Sequence, residues 1–286
     1  MRSTATLASF VLAPVLVSAH GRITNITTPS GTLYTGWDPE VALSINTSSL
    51  PQLAAWSASN LGNIFVPPSS FNTSNITCHF NSAPGALHVN TTSGDTLKLQ
   101  WNEWPTSHVG PVMNYLAPCN SSCTDADKEK LKWVKIDEMG WLNSTGSELG
   151  LGGTWASDLL IKNGFSWEVR IPEGLAEGAY VLRHEIIALH VANEVNGAQA
   201  YPQCVNIFIG KNTKQSEDVN KIEGGVVGSE LYSATDKGIL VDIHGNVTGY
   251  EIPGPKLWSR ASWRAKQPAE RRSKTTKQTY KNRESQ

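Results

Sequence analysis

The stretch RHEIIALHVANEVNGAQAYPQC, residues 183–204, most constrains what this chain can fold into. It reads as two β-strands joined by a polar connection. Residues 183–190 are rich in Ile and Leu; residues 199–209 alternate polar and apolar, then turn apolar. Side chains on a strand alternate faces. Gln199, Tyr201 and Gln203 therefore share one side, and Ala200, Pro202 and Cys204 the other. His184, Ile186, Ala188 and His190 likewise share a side, opposite Arg183, Glu185, Ile187 and Leu189. If the two strands are neighbours, His190, Gln199 and Tyr201 converge. An imidazole, a carboxamide and a phenol suit the holding of an oxygen species and do not make a hydrolase dyad. The same residues would also serve as a half-buried polar network that steadies a sheet.

The rest of the chain reads as β-structure too. Strand candidates are 96–101 (TLKLQW), 112–116, 133–136, 166–171 (SWEVRI), 180–190 and 205–209. Helical periodicity is scarce, and 125–131 is the one short helix expected. Frequent Gly and Pro between short apolar runs favour an all-β sandwich with long functional loops.

Three segments are expected. Residues 1–19 carry Arg2, an apolar run and the small pair Ser18-Ala19, which is the pattern of a secretory signal peptide cut after Ala19. Residues 20–258 form the body. Residues 259–286 form a polar, basic tail read as disordered. From 20 to 255 the net charge is −10, and from 256 to 286 it is +8. An acidic body gives no support for a nucleic-acid partner. The apolar run is too short to span a bilayer, so no membrane association is expected, and the product should be exported. A monomer is expected.

The four cysteines, Cys78, Cys119, Cys123 and Cys204, suggest disulfides, with three possible pairings. The closeness of Cys119 and Cys123 in PCNSSC favours a local bridge, which leaves Cys78 with Cys204. A zinc site would lack the usual CxxC pairs. Sequons at Asn25, Asn46, Asn72, Asn75, Asn90, Asn120, Asn143 and Asn246 suggest surface glycans on a eukaryotic secreted protein.

Cleavage after Ala19 would expose His20 with a free α-amine, whose pKa of about 8 lets it bind a metal near neutral pH. His108 sits in SHVGPV after Pro105 and before Gly110-Pro111, so a shaped loop presents it. Two imidazoles and an amine make a T-shaped set of three nitrogens, with Tyr201 available on the axis. Copper(II) favours such tetragonal N,O sites.

These residues resemble the fungal lytic polysaccharide monooxygenases of auxiliary activity family nine, once filed as family sixty-one glycoside hydrolases. The resemblance runs from His20 to about Trp258. It rests on the His20-Gly21 pair, PGAL at 84–87, LQW at 99–101, SHVGPV at 107–112 and YLAPCNSSC at 115–123. It continues through WASDLLI at 155–161, YVLRHEIIALH at 180–190, GAQAYPQC at 197–204 and IPGP at 252–255. It implies an immunoglobulin-like, fibronectin-type sandwich with a flat copper-bearing face. It implies one copper held by His20, through amine and Nδ1, and by His108 through Nε2, with Tyr201 axial. His190 and Gln199 would hydrogen-bond a bound oxygen species. The family pattern also supports the bridges Cys78–Cys204 and Cys119–Cys123. The implied activity is oxidative cleavage of cellulose or a related β-1,4-glucan at C1 or C4. An external electron donor and O2 or hydrogen peroxide would be consumed. Tyr34 and Tyr250 are candidates for stacking on sugar rings. The basic tail has no counterpart in the family core.

Two rivals differ in class. An endo-glucanase needs two carboxylates flanking the bond, about 5–5.5 or 6.5–9.5 Å apart. Glu103, Asp158 and Glu185 form no evident pair, and Glu185 reads as structural with Arg183. A non-catalytic copper or cellulose binder would be expected to lack one of His190, Gln199 or Tyr201.

Overall fold

The computed structural model describes residues 21–45, 49–62, 64–146, 149–211 and 222–258. The leader, His20, Asn46 and the tail 259–286 lie outside the described residues. The chain runs β1 (Ile23–Thr27), β2 (Leu33–Thr35), helix α1 (Pro39–Ser44), helix α2 (Asn75–Cys78), β3 (Val89–Thr92), β4 (Thr96–Trp101) and β5 (Val112–Pro118). It continues through β6 (Val134–Met139), β7 (Trp141–Asn143), β8 (Thr154–Trp155), helix α3 (Ala156–Lys162), β9 (Ser166–Arg170), β10 (Gly178–Ala188) and β11 (Gln199–Gly210).

Two sheets make a β-sandwich, as the spacing of short strands predicts. One has the order β2-β1-β4-β9, the other β3-β11-β10-β5-β6, and β7 pairs β8 in a separate ribbon. All pairs are antiparallel except β3 with β11. In β4 the alternation is plain: Leu97, Leu99 and Trp101 are buried while Lys98 is exposed. Their inner face meets Leu182, Ile186, Val205 and Ile207 across the sandwich. Each such side chain contributes about 1.5–3 kcal/mol when fully buried.

The five-stranded sheet is covered on both faces, which is why β10 reads as nearly continuous apolar sequence. Its outer side carries Val181, Ile187, Ala200 and Cys204, packed under Phe71, Trp133 and Trp155. Two charged residues also lie there. Arg183 and Glu185 have no exposed surface and bond each other directly, through Nη2 to Oε1 at 2.6 Å and Nη1 to Oε2 at 2.9 Å. Being two apart, they share a face, so the direct bond forms alongside further partners. Arg183 Nε donates to Thr77 O at 2.7 Å and Nη2 to Ile76 O at 2.7 Å, and the Tyr232 hydroxyl donates to Glu185. Every guanidinium nitrogen and both carboxylate oxygens are thus hydrogen-bonded where no water reaches them.

The segment holding those carbonyls is α2, and the Cys78–Cys204 disulfide fastens it to β11. The second bridge is Cys119–Cys123. Residues 125–131 form turns, contrary to the expected helix. Asp127 Oδ1 accepts the Glu129 N–H at 3.1 Å. That local bond competes with the helical pattern.

Tyr34, a candidate for stacking or for simple packing, lies on the inter-sheet core, and its hydroxyl accepts the Asn90 N–H at 3.2 Å. Asn90 pairs with Phe208, far along β11 from Tyr201. At about 3.3 Å per residue this is more than 20 Å of strand.

Candidate metal centre

The strand pair β10–β11 is in the register that sequence parity requires. Ile186 faces Tyr201 and Ala188 faces Gln199. The strand ends at Ala188, however, two residues before His190. Leu189 N–H turns instead to Val109 O at 2.9 Å, and Ala192 N–H closes a turn on Leu189 O at 2.9 Å. His190 is therefore a turn residue, positioned by the loop that carries His108 and not by strand parity.

That loop is held at several points. His108 N–H bonds Pro105 O at 3.0 Å, closing a tight turn, and Trp104 Nε1 donates to His108 O at 2.8 Å. Downstream, Gly110 N–H donates to Ser157 Oγ at 3.0 Å, and Ile187 N–H donates to Pro111 O at 3.2 Å. Gly110 lies so close to β10 that a Cβ there would sit 1.9 Å from Ile187 O. The Gly-Pro of SHVGPV is thus a close backbone approach followed by a residue with no N–H to satisfy.

The geometry gathers four of the expected residues. The His108 and His190 rings lie 4.0 Å apart at 35°. The Tyr201 hydroxyl donates to Gln199 Oε1 at 2.7 Å. Trp104 joins the two halves, its ring 6.0 Å from that of His108 and 5.1 Å from that of Tyr201, edge-on to both. His108 and Tyr201 are buried, while His190 and Gln199 are half-buried. Burial pushes the Tyr201 phenol well above its ordinary range, so it stays protonated and acts as a donor. His108 Nδ1 lies 3.0 Å from Ser107 Oγ.

The start of β1 is fixed beside this loop. Arg22 N–H donates to Asn102 Oδ1 at 2.7 Å, and Ile23 N–H to Gln203 Oε1 at 2.7 Å. A Cβ on Gly21 would lie 1.8 Å from Glu103 O. Gly21 therefore touches the backbone that leads into Trp104 and His108. Among the described residues no three His, Cys, Asp or Glu side chains cluster to hold a metal. The donor chemistry nevertheless fits copper. One imidazole is held by Ser107, a second stacks on it, a neutral phenol stands near, and the chain's next residue upstream is His20.

The acids weighed for hydrolysis are engaged elsewhere. Glu185 is locked to Arg183, Asp158 Oδ2 accepts the Trp155 N–H at 2.8 Å at the start of α3, and Glu103 Oε1 accepts from Asn102 at 3.3 Å. Tyr250, expected to stack on sugar, donates its hydroxyl to Gly238 O at 2.7 Å and lays its ring 4.9 Å from Trp155. The hydroxyls of Tyr34 and Tyr250 are thus engaged within the fold, and both half-buried rings pack on core residues. Sequence reasoning missed Trp104, the residue in contact with both halves of the site. Its signal was there in WNEWP, three residues past a strand ending in Trp101, but a tryptophan near a strand end usually means core. Of the sequons, Asn72, Asn90, Asn120, Asn143 and Asn246 are exposed, and Asn25 and Asn75 are half-buried.

A β-sandwich of this topology with this histidine-bearing end defines a class, the copper monooxygenases that act on polysaccharides. Residues 20–250 match the model of Auxiliary Activity family 9 (formerly GH61). AA9 family lytic polysaccharide monooxygenase I of Botryotinia fuckeliana is 44% identical over 246 residues, covering 86% of this chain and 87% of its own. AA9 family lytic polysaccharide monooxygenase F of Emericella nidulans is 42% identical over 262 residues, covering 91% and 99%. The extended catalytic domain of Hypocrea jecorina LPMO9A superposes with a TM-score of 0.76 at 42% identity, covering 84% of this chain and 91% of that one. The chain belongs to auxiliary activity family 9. It is a copper-dependent oxidoreductase that cleaves polysaccharide oxidatively.

Proposed function

We propose that this chain is a secreted cellulose monooxygenase whose copper is held by His20, through its α-amine and ring, and by His108. In this reading the leader 1–19 is removed, residues 20–258 are the catalytic body, and 259–286 are a basic extension. The enzyme works as a monomer on cellulose or a related β-1,4-glucan and cuts at C1 or C4. The observation that carries it is the meeting of His108 and His190 beside the pinned start of β1.

When bound, copper supplies one-electron redox chemistry with O2 or hydrogen peroxide, driven by an external electron donor. The chain's own residues do the rest. His108 would hold the copper through Nε2, and its ring proton would then sit on Nδ1 and be donated to Ser107 Oγ, 3.0 Å away, which would fix the ring. Tyr201 stays a neutral phenol and donates its proton to Gln199 Oε1, which orients the carboxamide so that its N–H donors would hydrogen-bond an oxygen co-substrate. His190, its ring 4.0 Å from that of His108, would offer an imidazole to the same co-substrate. The turn that begins at His190 exposes two valines, Val191 at 39% and Val195 at 76%.

Mass spectrometry of soluble products from cellulose, with copper and ascorbate, tests the class. Reductant-dependent oxidised oligosaccharides are expected. Native reducing ends alone would make it a hydrolase, and no product at all would make it a binder.

A further inference from the structure

We propose that Trp104 is a positioning residue that sets the copper-binding geometry by holding the His108 loop, the Tyr201 ring and the start of β1 in one register. This inference rests on the reading that His108 binds copper.

Trp104 lies between the His108 ring and the Tyr201 ring. It is buried, with 3% of its surface exposed. Its indole N–H is committed to the carbonyl of His108 at 2.8 Å, so it fixes the backbone orientation of the residue that presents the imidazole. Its ring meets three others edge-on: Trp101 at 5.3 Å, His108 at 6.0 Å and Tyr201 at 5.1 Å. Edge-to-face pairs at such spacings are each worth about 0.5–1.5 kcal/mol beyond area burial, and they prefer one orientation. The residue before it, Glu103, supplies the carbonyl against which Gly21 rests.

The strand below keeps the arrangement from drifting. Trp101 Nε1 donates to His184 Nε2 at 3.2 Å, so the ring on which Trp104 leans is itself anchored in the core. A space-filling tryptophan needs none of these directions. Phe71 in the outer layer fills comparable space with no polar commitment.

The test compares Trp104→Phe, Trp104→Leu, His108→Ala and a core control, Leu97→Ala, all in the full processed chain. Trp104→Phe keeps a ring but removes the N–H donor; Trp104→Leu removes the ring as well. Copper(II) affinity by calorimetry and the copper EPR spectrum are read beside thermal stability. Loss of a partner that orients a metal ligand typically weakens binding 10–100-fold. We expect about 10-fold weaker copper binding in Trp104→Phe, more in Trp104→Leu, and a shifted hyperfine splitting in both. Leu97→Ala should lower the melting temperature while keeping the parent affinity and spectrum. Parent-like affinity and spectrum in Trp104→Phe would overturn the proposal whether or not the Leu variant folds. If His108→Ala binds copper like the parent, the ligand reading fails and takes this inference with it. If His108→Ala loses copper and the Trp104 variants do not, only this inference fails.

Discussion

His190 and Gln199 make the residue-scale prediction sharp, because neither is asked to hold the metal. Gln199 reaches the site through its bond with Tyr201, and His190 through its stack on His108. Gln199→Ala and His190→Ala should therefore bind copper within a few-fold of the parent yet lose most oxidation, about 10–100-fold. Calorimetry and quantified oxidised products check this, and a parent-like rate in either variant would remove its role. At this scale the sequence was informative where a motif fixed the neighbours, as in SHVGPV around His108 and GAQAY around Gln199 and Tyr201. It was uninformative where only residue type spoke. Tyr34 and Tyr250 have the ring a sugar wants, but whether a phenol stacks on substrate or bonds the backbone depends on what the fold brings beside it. Here that was Asn90 and Gly238.

Among the elements, β10 explains both what could be read and what could not. Its apolar run and the alternation of β11 announced a paired core. Register then followed, since a slip of one residue would turn Tyr201 to the wrong face. The end of β10 was not legible, because it is set by Val109, which lies about eighty residues away in the chain. The same strand buries a histidine. His184 lies between the sheets, accepting from Trp101 at Nε2 and bonding Asn114 Oδ1 through Nδ1 at 2.7 Å. Asn114 passes the chain on to Asp137 at 2.9 Å. Burial first, with the Arg183 charge second, drives the His184 pKa down to about 3. Burial also lowers that of His79 to about 4. In the unfolded chain both protonate near pH 6.5. Between that pH and their folded values the unfolded state binds more protons. Their contribution is therefore complete above pH 6.5 and is lost as pH falls, down to about 4 for His79 and about 3 for His184. Asp137 works the other way. Burial raises its pKa, so the folded state holds the extra proton, and stability drains as pH rises above the ordinary carboxylate value. Replacing His184 by Asn should lower stability at pH 7 and also flatten the acid limb by about one proton between pH 6 and 4.5. Denaturant unfolding across that range measures the slope, and an unchanged slope would mean that His184 takes up its proton in the fold.

On the scale of the whole molecule, one covalent link separates stability from chemistry. The Cys78–Cys204 bridge spans 126 residues and ties α2 to the strand that presents Tyr201. A loop of about 100 residues is worth roughly 4.7 kcal/mol in the chain-entropy account. The double variant Cys78→Ser, Cys204→Ser should therefore lose about 5 kcal/mol, or roughly 10–20 °C of melting temperature for a body of this size. The site should survive that loss while the protein stays folded. Its residues are held by the β10–β11 backbone register, by the Val109 and Pro111 carbonyls, and by Gly110 against Ile187, none of which needs the sulfur–sulfur bond. Arg183 also keeps hold of the Ile76 and Thr77 carbonyls, so α2 retains a polar anchor when the sulfur link is gone. Copper affinity measured well below the variant's melting point should match the parent. A folded variant with weakened copper binding would show instead that the bridge shapes the site through β11, and the separation between the frame and its active end would have to be given up.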